Sequence, residues 1–301
     1  MSLQDPIIGN EPTDAAEPPR VAVVGHVEWV QFARVPRVPH AGEIVHARDP
    51  FAEPAGGGAV AAVQAARLAG AATLMTVLGD DDHGSRSVAR LRELGVLVHT
   101  ASRPSATRRA IALLDDEGER TITTFGPRLE PTGSDEELPW NLLEEMDGVY
   151  FTAGDAEALR AARAARVLVA SPRALHALGH EVPLDALVLS NGDQIEREEA
   201  AAAARDAAVV VTTDGARGGS YRTRDGRSGT WDASPPPAPP VDSYGCGDSF
   251  ASGLTYGLAA GLALHGALEL AARCGAACLS GRGPYRRQLR LTPVGNGSIA
   301  D

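Results

Sequence analysis

The sequence predicts an α/β protein built on a doubly wound, mostly parallel sheet. Three observations carry this expectation. From Val149 onward, short apolar runs rich in β-branched residues alternate with alanine-rich stretches, the pattern of a parallel sheet covered by helices on both faces. A glycine turn, Gly245-Cys246-Gly247, opens directly into a stretch in which Phe250, Leu254 and Leu258 recur at helical spacing. Two extended segments, Val35–Phe51 and Ala101–Phe125, interrupt the alternation and predict a small β element set apart from the sheet.

Taken in order, Met1–Pro19 is acidic and proline-rich and reads as a disordered tail. Val21–Val24, ending at Gly25, is an apolar run suited to a buried first strand. Gly42–Ala47 alternates as an exposed strand would. Gly56-Gly57-Gly58 opens a helix over Ala59–Leu68, which Gly70 closes. Thr73–Leu78 is a second buried strand, followed by an acidic turn and a helix over Ser85–Leu94. Thr107–Leu114 and Thr121–Phe125 flank an acidic turn and predict a hairpin. Val149–Thr152, Val167–Ala170, Leu187–Leu189 and Val209–Thr212 read as strands, and Ala156–Ala165 and Glu196–Ala207 as helices. Residues 20–290 form one domain on this reading, and residues 291–301 a loose tail.

Composition narrows the function. A net charge of −11 excludes a general nucleic-acid binder, which needs a basic face. Lysine is absent, so all 28 basic residues are arginine. That excludes a Walker A lysine, a protein-kinase strand lysine and a Schiff-base lysine. Phosphate chemistry would have to use backbone N–H groups, arginine and a metal ion. Three cysteines, Cys246, Cys274 and Cys278, make no disulfide framework, and Cys274 and Cys278 read as core residues in a reducing compartment. No signal peptide or membrane span is evident, so a cytoplasmic protein is expected.

The chemistry is concentrated in Val241–Phe250. Glycines at 245 and 247 let the backbone turn tightly at a helix start, where unpaired N–H groups and the helix dipole attract an anion. Asp248 is either an ordinary acidic residue of a first helical turn or a base facing a hydroxyl that loses its proton as a phosphoryl group arrives.

The longer string Asp242-Ser243-Tyr244-Gly245-Cys246-Gly247-Asp248-Ser249-Phe250 resembles the Asp-Thr-x-Gly-Ala-Gly-Asp-x-Phe signature of the ribokinase-like, PfkB-type carbohydrate kinases. The resemblance runs from about Val21 to about Arg290, with Gly42-Glu43, Gly56-Gly57 and Gly79-Asp80-Asp81 in the places of further family elements. It implies a three-layer α/β/α fold with a small β lid formed near residues 35–51 and 101–125. It also implies transfer of the γ-phosphoryl of ATP to a hydroxyl of a sugar or sugar-like substrate. Asp248 would be the general base, with Gly245, Cys246 and Gly247 holding the transferring group. Thr213, Gly215 and Gly218 resemble the family's nucleotide loop, and Asn191 joins them. Asp193 would reach Mg²⁺ through water, and Asp242 and Tyr244 occupy the family's monovalent-cation loop, a place for K⁺. Glu28, Gly56 and Gly57 fall at the sugar end.

Three departures concern that sugar end and the metal. Val30 stands where the family has a sugar-holding acid, Ala61 where an asparagine is common, and Gln194 where an acid serves Mg²⁺. Glu28, two residues before Val30, either takes over the acid's place or is exposed. The losses predict a pocket less polar than that of a sugar kinase. A nucleoside kinase and a non-catalytic sugar- or nucleotide-binding descendant are the alternatives. His26 either lines the cleft or is an incidental loop residue, and Arg108 and Arg109, at the base of the expected hairpin, read as a solvated pair, with a phosphate clamp as the alternative. The lid's free strand edges predict a homodimer.

Overall fold

The computed structural model describes residues 17–193, 200 and 203–291. The chain begins with β1 (Val21–Val24), β2 (Glu28–Arg34), β3 (Arg48–Ala55), α1 (Gly57–Ala69), β4 (Ala72–Gly79), α2 (Asp82–Glu93) and β5 (Val96–Arg103). It continues with β6 (Arg109–Leu114), β7 (Arg120–Phe125), β8 (Gly148–Phe151), α3 (Ala156–Ala162), β9 (Val167–Ala170), β10 (Leu184–Ser190) and β11 (Ala207–Thr213). The last elements are β12 (Gly219–Thr223), β13 (Ser228–Trp231), α4 (Cys246–Ala259) and α5 (Leu264–Leu279). Half of the expected helix Glu196–Ala207, together with Gln194 and most of both expected tails, lies outside the described residues. Ala203–Arg205 within it is a 3-10 turn, and Ala207 already belongs to β11.

Among the described residues the strands form a nine-stranded sheet, ordered β13-β12-β11-β10-β9-β8-β1-β4-β5, and a four-stranded sheet, ordered β3-β2-β6-β7. The large sheet is parallel from β11 to β5, with β12 and β13 added antiparallel at one edge. Its central strands β1, β8 and β9 are buried along their whole length because helices cover both faces. One core lies under α1, α4 and α5 and the other under α3. Gly253 and Gly257 bring α4 against α5, where a Cβ on Gly253 would lie 2.7 Å from Cys274 Sγ. Cys274 and Cys278 are buried, as expected.

The small sheet is the lid, but its first half is displaced from the expected segment. Gly42–Ala47 is not a strand; Ile44 is 88% exposed and gives it no face to bury. The strands are instead β2 and β3, paired antiparallel with Phe32 opposite Phe51. Trp29, Val30 and Phe32 of β2 are buried, and that apolar set holds the strand. The expected hairpin is present as β6 and β7, and β6 runs parallel to β2. The lid stacks Phe32 on Phe51 and sets Phe32 edge-on to Tyr244, with ring centroids 4.8 and 4.9 Å apart.

Residues 282–291 run back as a strap across α1, the lid and the start of α4. Tyr285 donates to Pro54 O at 2.5 Å, Gln64 to Leu289 O at 2.9 Å and Gln288 to Val60 O at 3.0 Å. Gln288 also reaches Ser249 Oγ, and Arg282 reaches Asp49 O.

Candidate active site

The start of α4 is shaped by Gly245, whose φ of +81° is left-handed and whose Cβ would sit 2.7 Å from Val60 Cγ1. Cys246 N–H donates to Ser243 O and Ser249 N–H to Gly245 O. Among the described residues, the N–H groups of Gly247 and Asp248 between them have no acceptor. Nothing lies within 4 Å of a Cβ on Gly247, so this residue stands at the open surface of the turn. Two unpaired donors on a helix's first turn, with the dipole behind them, make a seat for a phosphoryl group.

Asp248 lies beside this seat, half-buried, and among the described residues it accepts no hydrogen bond. It looks across a cradle lined by Gly57. The position of a Cβ on Gly57 is 3.0 Å from Asp248 Oδ1, 3.0 Å from Thr152 Oγ1 and 3.4 Å from His26 Cε1. Glycines bring these groups together. A Cβ on Gly58 would lie 2.7 Å from the carbonyl carbon of Gly25 and 2.8 Å from His26 O, so the start of α1 touches the end of β1 only without side chains. Gly58 N–H donates to His26 O at 3.1 Å, and Gly56 N–H to the Tyr244 hydroxyl at 3.3 Å. Gly56 and Gly57 thus lie between Tyr244, His26 and Asp248.

Beyond the cradle is a buried charged cluster. His26 is 6% and Glu28 7% exposed, and His26 Nε2 lies 3.4 Å from Glu28 Oε1. Arg108 Nη1 is 3.6 Å from the same oxygen, while its Nη2 donates to Thr124 Oγ1 at 2.8 Å. Arg128 donates to Thr152 O at 2.7 Å and pairs with Glu130 at 2.9 Å. Burial alone would raise the Glu28 carboxyl, but the hydrogen bond from His26 and the charges of Arg108 and Arg128 hold it below its usual value. Burial lowers the His26 imidazole and keeps it neutral. Burial, followed by the charge of Asp248, raises the Tyr150 hydroxyl.

This cluster corrects two expectations. Arg108 and Arg109 are not a solvated pair, because successive residues entering β6 face opposite ways; Arg109 is exposed over Phe125 and Arg108 turns to Glu28. Nor is the sugar end poor in polar groups. Val30 and Ala61 are packed in the core, and the polar work falls to Glu28, His26 and Arg108. Sequence reading missed Arg128 and Thr152, which carry no local signal, and left His26 undecided.

The other expected residues lie at the carboxyl ends of β10 and β11, along the same edge of the sheet as Gly25 and Thr152. Asn191 N–H donates to Thr213 O at 2.8 Å, and its side chain donates to Asp214 at 3.1 Å. Gly215 and Gly218 have φ of +56° and +79°, and Asp214 N–H closes the loop on Gly218 O at 2.8 Å. From β11 to β1 is four strand spacings, about 19 Å, a reach that suits an extended triphosphate nucleotide.

Among the described residues no group of three or more acids, histidines or cysteines converges on one point. Asp193 is half-buried just past β10. The monovalent-cation loop fits less well. Asp242 accepts from Tyr244 N–H at 2.9 Å and Gly283 N–H at 3.1 Å, while Cys278 Sγ lies 3.4 Å from Tyr244 O and 3.6 Å from Pro284 O. A cation would have to displace that thiol, so Asp242 and Tyr244 as placed do not fit K⁺, and no step is drawn through it.

Solved structures share the fold. The ribokinase of Thermotoga maritima superposes with a TM-score of 0.74 at 19% identity, over 90% of this chain and 96% of that one. Arabidopsis thaliana ribokinase, complexed with ribose and ATP, gives 0.71 at 18% identity over 91% and 96%. A nucleoside kinase of Methanocaldococcus jannaschii gives 0.69 at 15% identity over 91% and 96%. No curated protein matches the sequence. The family model for pfkB carbohydrate kinases matches residues 18–289, nearly the whole described chain, glycine-led helix and buried charged cluster included, and the chain belongs to that family.

Proposed function

We propose that the chain transfers the γ-phosphoryl group of ATP to a hydroxyl of a small sugar or sugar-like acceptor, with Asp248 as general base. The observation that carries this reading is the placement of Asp248. Among the described residues its carboxylate accepts no hydrogen bond, and it stands beside two unpaired helix-start N–H groups and against the Gly57 backbone, where a side chain would crowd it. An acceptor hydroxyl in the cradle gives its proton to Asp248 as its oxygen attacks the γ-phosphorus, and the bond from that phosphorus to the β–γ bridging oxygen breaks, so that ADP leaves. The N–H groups of Gly247 and Asp248 stabilise charge on the phosphoryl oxygens in flight. Gly245 and Cys246 set the direction of those N–H groups. Thr213, Gly215, Gly218 and Asn191 hold the nucleotide at the far end of the sheet edge, and Glu28, Gly56 and Gly57 shape the acceptor end. Mg²⁺ on the triphosphate, with waters held by Asp193, would neutralise charge on the phosphates.

Among the described residues no helix is long and apolar enough to cross a membrane, and the partners on this reading are small molecules.

The test is phosphoryl transfer from ATP across ribose, fructose, other pentoses and hexoses, and nucleosides, comparing wild type with Asp248→Asn. Loss of a general base costs about 10²–10⁴-fold in rate, while ATP affinity should hold or rise as one negative charge leaves the phosphate seat. Retained turnover in a folded Asn variant would refute the role of Asp248. Tight ATP binding with transfer to none of these acceptors would favour a non-catalytic binder.

A further inference from the structure

Small residues bring α4 and α5 into backbone contact. A Cβ on Gly257 would lie 2.9 Å from Ala267 Cα, one on Gly253 3.0 Å from Ala271 Cα and 2.7 Å from Cys274 Sγ, and one on Gly275 3.3 Å from Cys246 O. These pairs run in opposite directions along the two helices, so they form an antiparallel seam. Helix axes ordinarily sit about 8–10 Å apart, held off by the side chains between them; glycine and alanine remove that spacing here. Cys278 lies one turn beyond Cys274 along the seam and Cys246 two turns before Gly253, so the two meet where α4 begins.

Their thiols are hydrogen-bonded to each other. Cys278 Sγ lies 3.4 Å from Tyr244 O and 3.6 Å from Pro284 O, which take its own proton. The S–H of Cys246 therefore donates to Cys278 Sγ. The contact with Cys278 and burial hold the Cys246 thiol above its usual range, against the charge of Arg120, so the pair rests as a dithiol. Cys246 is half-buried beside the open turn at Gly247, while Cys278 is 0% exposed. One sulfur can thus be reached by a small reagent and the other stands behind it. Cys274 is a bystander, because Cβ atoms four residues apart on one helix lie about 5–6 Å from each other, beyond the span of about 3.5–4.5 Å that a disulfide bridges.

We propose that Cys246 and Cys278 are a modification site: a small disulfide oxidant converts them to an intrachain disulfide that pulls on the first turn of α4 and stops phosphoryl transfer. Cys246 gives up its proton and its sulfur attacks one sulfur of the oxidant. The S–S bond of the oxidant breaks, and its other half leaves as a thiolate that takes up the proton. Cys278 then loses its proton, its sulfur attacks Cys246 Sγ, and the remaining half leaves as a second thiol. Two protein thiols are oxidised and one reagent disulfide is reduced to two thiols. Formation of the bond does not depend on what the site does; its effect on transfer rests on the kinase reading above and adds a control to it. Cys246 directly precedes Gly247 and Asp248, whose unpaired N–H groups make the phosphoryl seat. Closing two sulfurs from contact to a bond of about 2.05 Å draws Cys246 toward α5 by on the order of 1 Å, and a displacement of that size at a reacting centre costs about 10²-fold.

The test equilibrates reduced protein with hydroxyethyl disulfide and mercaptoethanol at graded ratios, followed by acid quench, alkylation and peptide mapping. Wild type should yield one linked peptide pair holding Cys246 and Cys278, reversed by dithiothreitol, with Cys274 recovered alkylated. Cys278→Ser, whose hydroxyl can still donate to Tyr244 O, should form no intrachain bond and keep its transfer rate at ratios that oxidise wild type. Transfer from ATP to ribose, fructose or adenosine by wild type should fall about 10²-fold in step with the linked fraction and return on reduction. An unlinked pair at every ratio, a mixed disulfide left standing on Cys246, or a bond through Cys274 would overturn the site. A linked enzyme that transfers at full rate would overturn the control of the seat. If Cys278→Ser does not fold, mapping of wild type decides the bond, and Cys246→Ala supplies a chain that cannot form it. Reduced wild type idle on all three acceptors, with the pair still linking, would refute the kinase reading and uphold the thiol site.

Discussion

Gly57→Ala separates function from folding at this site. Gly57 has no left-handed φ, so alanine is allowed by the backbone, and at a helix position it is favoured over glycine by up to about 1 kcal/mol. The new methyl carbon would stand 3.0 Å from both Asp248 Oδ1 and Thr152 Oγ1, a few tenths of an ångström inside ordinary contact. Both neighbours are side-chain oxygens that yield by small rotations, so stability should change by less than about 1 kcal/mol. Activity should not survive so well. The base must come within about 2.6–3.2 Å of the hydroxyl it deprotonates, and the methyl occupies that space. Displacing the acceptor by about 1 Å costs on the order of 10²-fold. Gly58→Ala is the control: its methyl meets backbone of Gly25 and His26, which cannot yield, so it should lose several kcal/mol of stability. Urea unfolding and transfer rates on both variants decide the matter. A Gly57→Ala enzyme within threefold of wild type, or one as destabilised as Gly58→Ala, would refute the cradle.

Other outcomes follow from the same geometry. Because Cys278 fills the carbonyl loop beside Asp242, transfer rates should be equal in K⁺, Na⁺ and tetramethylammonium salts; a severalfold K⁺ activation would show that the thiol gives way. The lid ends in β7, exposed along its whole length with Ile122 and Phe125 at 41% and 43%, and sedimentation at micromolar concentration should show a dimer that Ile122→Asp separates. Both buried titrating groups make the fold acid-sensitive. The folded state binds protons less readily than the unfolded one at His26 and Glu28, so stability is full above about pH 6.5 and falls as pH drops through the lower folded values. His26→Gln should flatten the decline between pH 6.5 and 5 in urea titrations, and an unchanged slope would place the titration elsewhere.

Sequence and structure agree where a signal is local. The strands β1, β4, β8 and β9 are nearly unbroken apolar runs because both their faces are buried, and the turn into α4 is written in consecutive residues. Agreement fails where parity or long-range packing decides. Whether Arg108 or Arg109 points inward depends on the register of β6, which a pair of identical residues cannot reveal. β2 holds Glu28 beside Trp29 and Val30, and its burial of a carboxylate makes sense only once His26 and Arg108 are brought to it. β12 and β13 alternate small and polar residues at a sheet edge and offer no apolar run. Val30 and Ala61 suggested a drier pocket because their positions could be read but their neighbours could not.

The strap of residues 282–291 has a consequence for how the enzyme comes into being. It ties Pro54, Val60 and Gln64 to partners more than 220 residues later in the chain, and through Gln288 it touches Ser249, next to Asp248. During synthesis everything it binds emerges from the ribosome first, and contacts of such sequence separation form late and slowly. The lid and the glycine-led helix therefore wait unfastened until the strap arrives. The site cannot be assembled before nearly all of the described domain has been made, and a cut just before Arg282 should yield a protein that keeps its sheet while losing the alignment of its site.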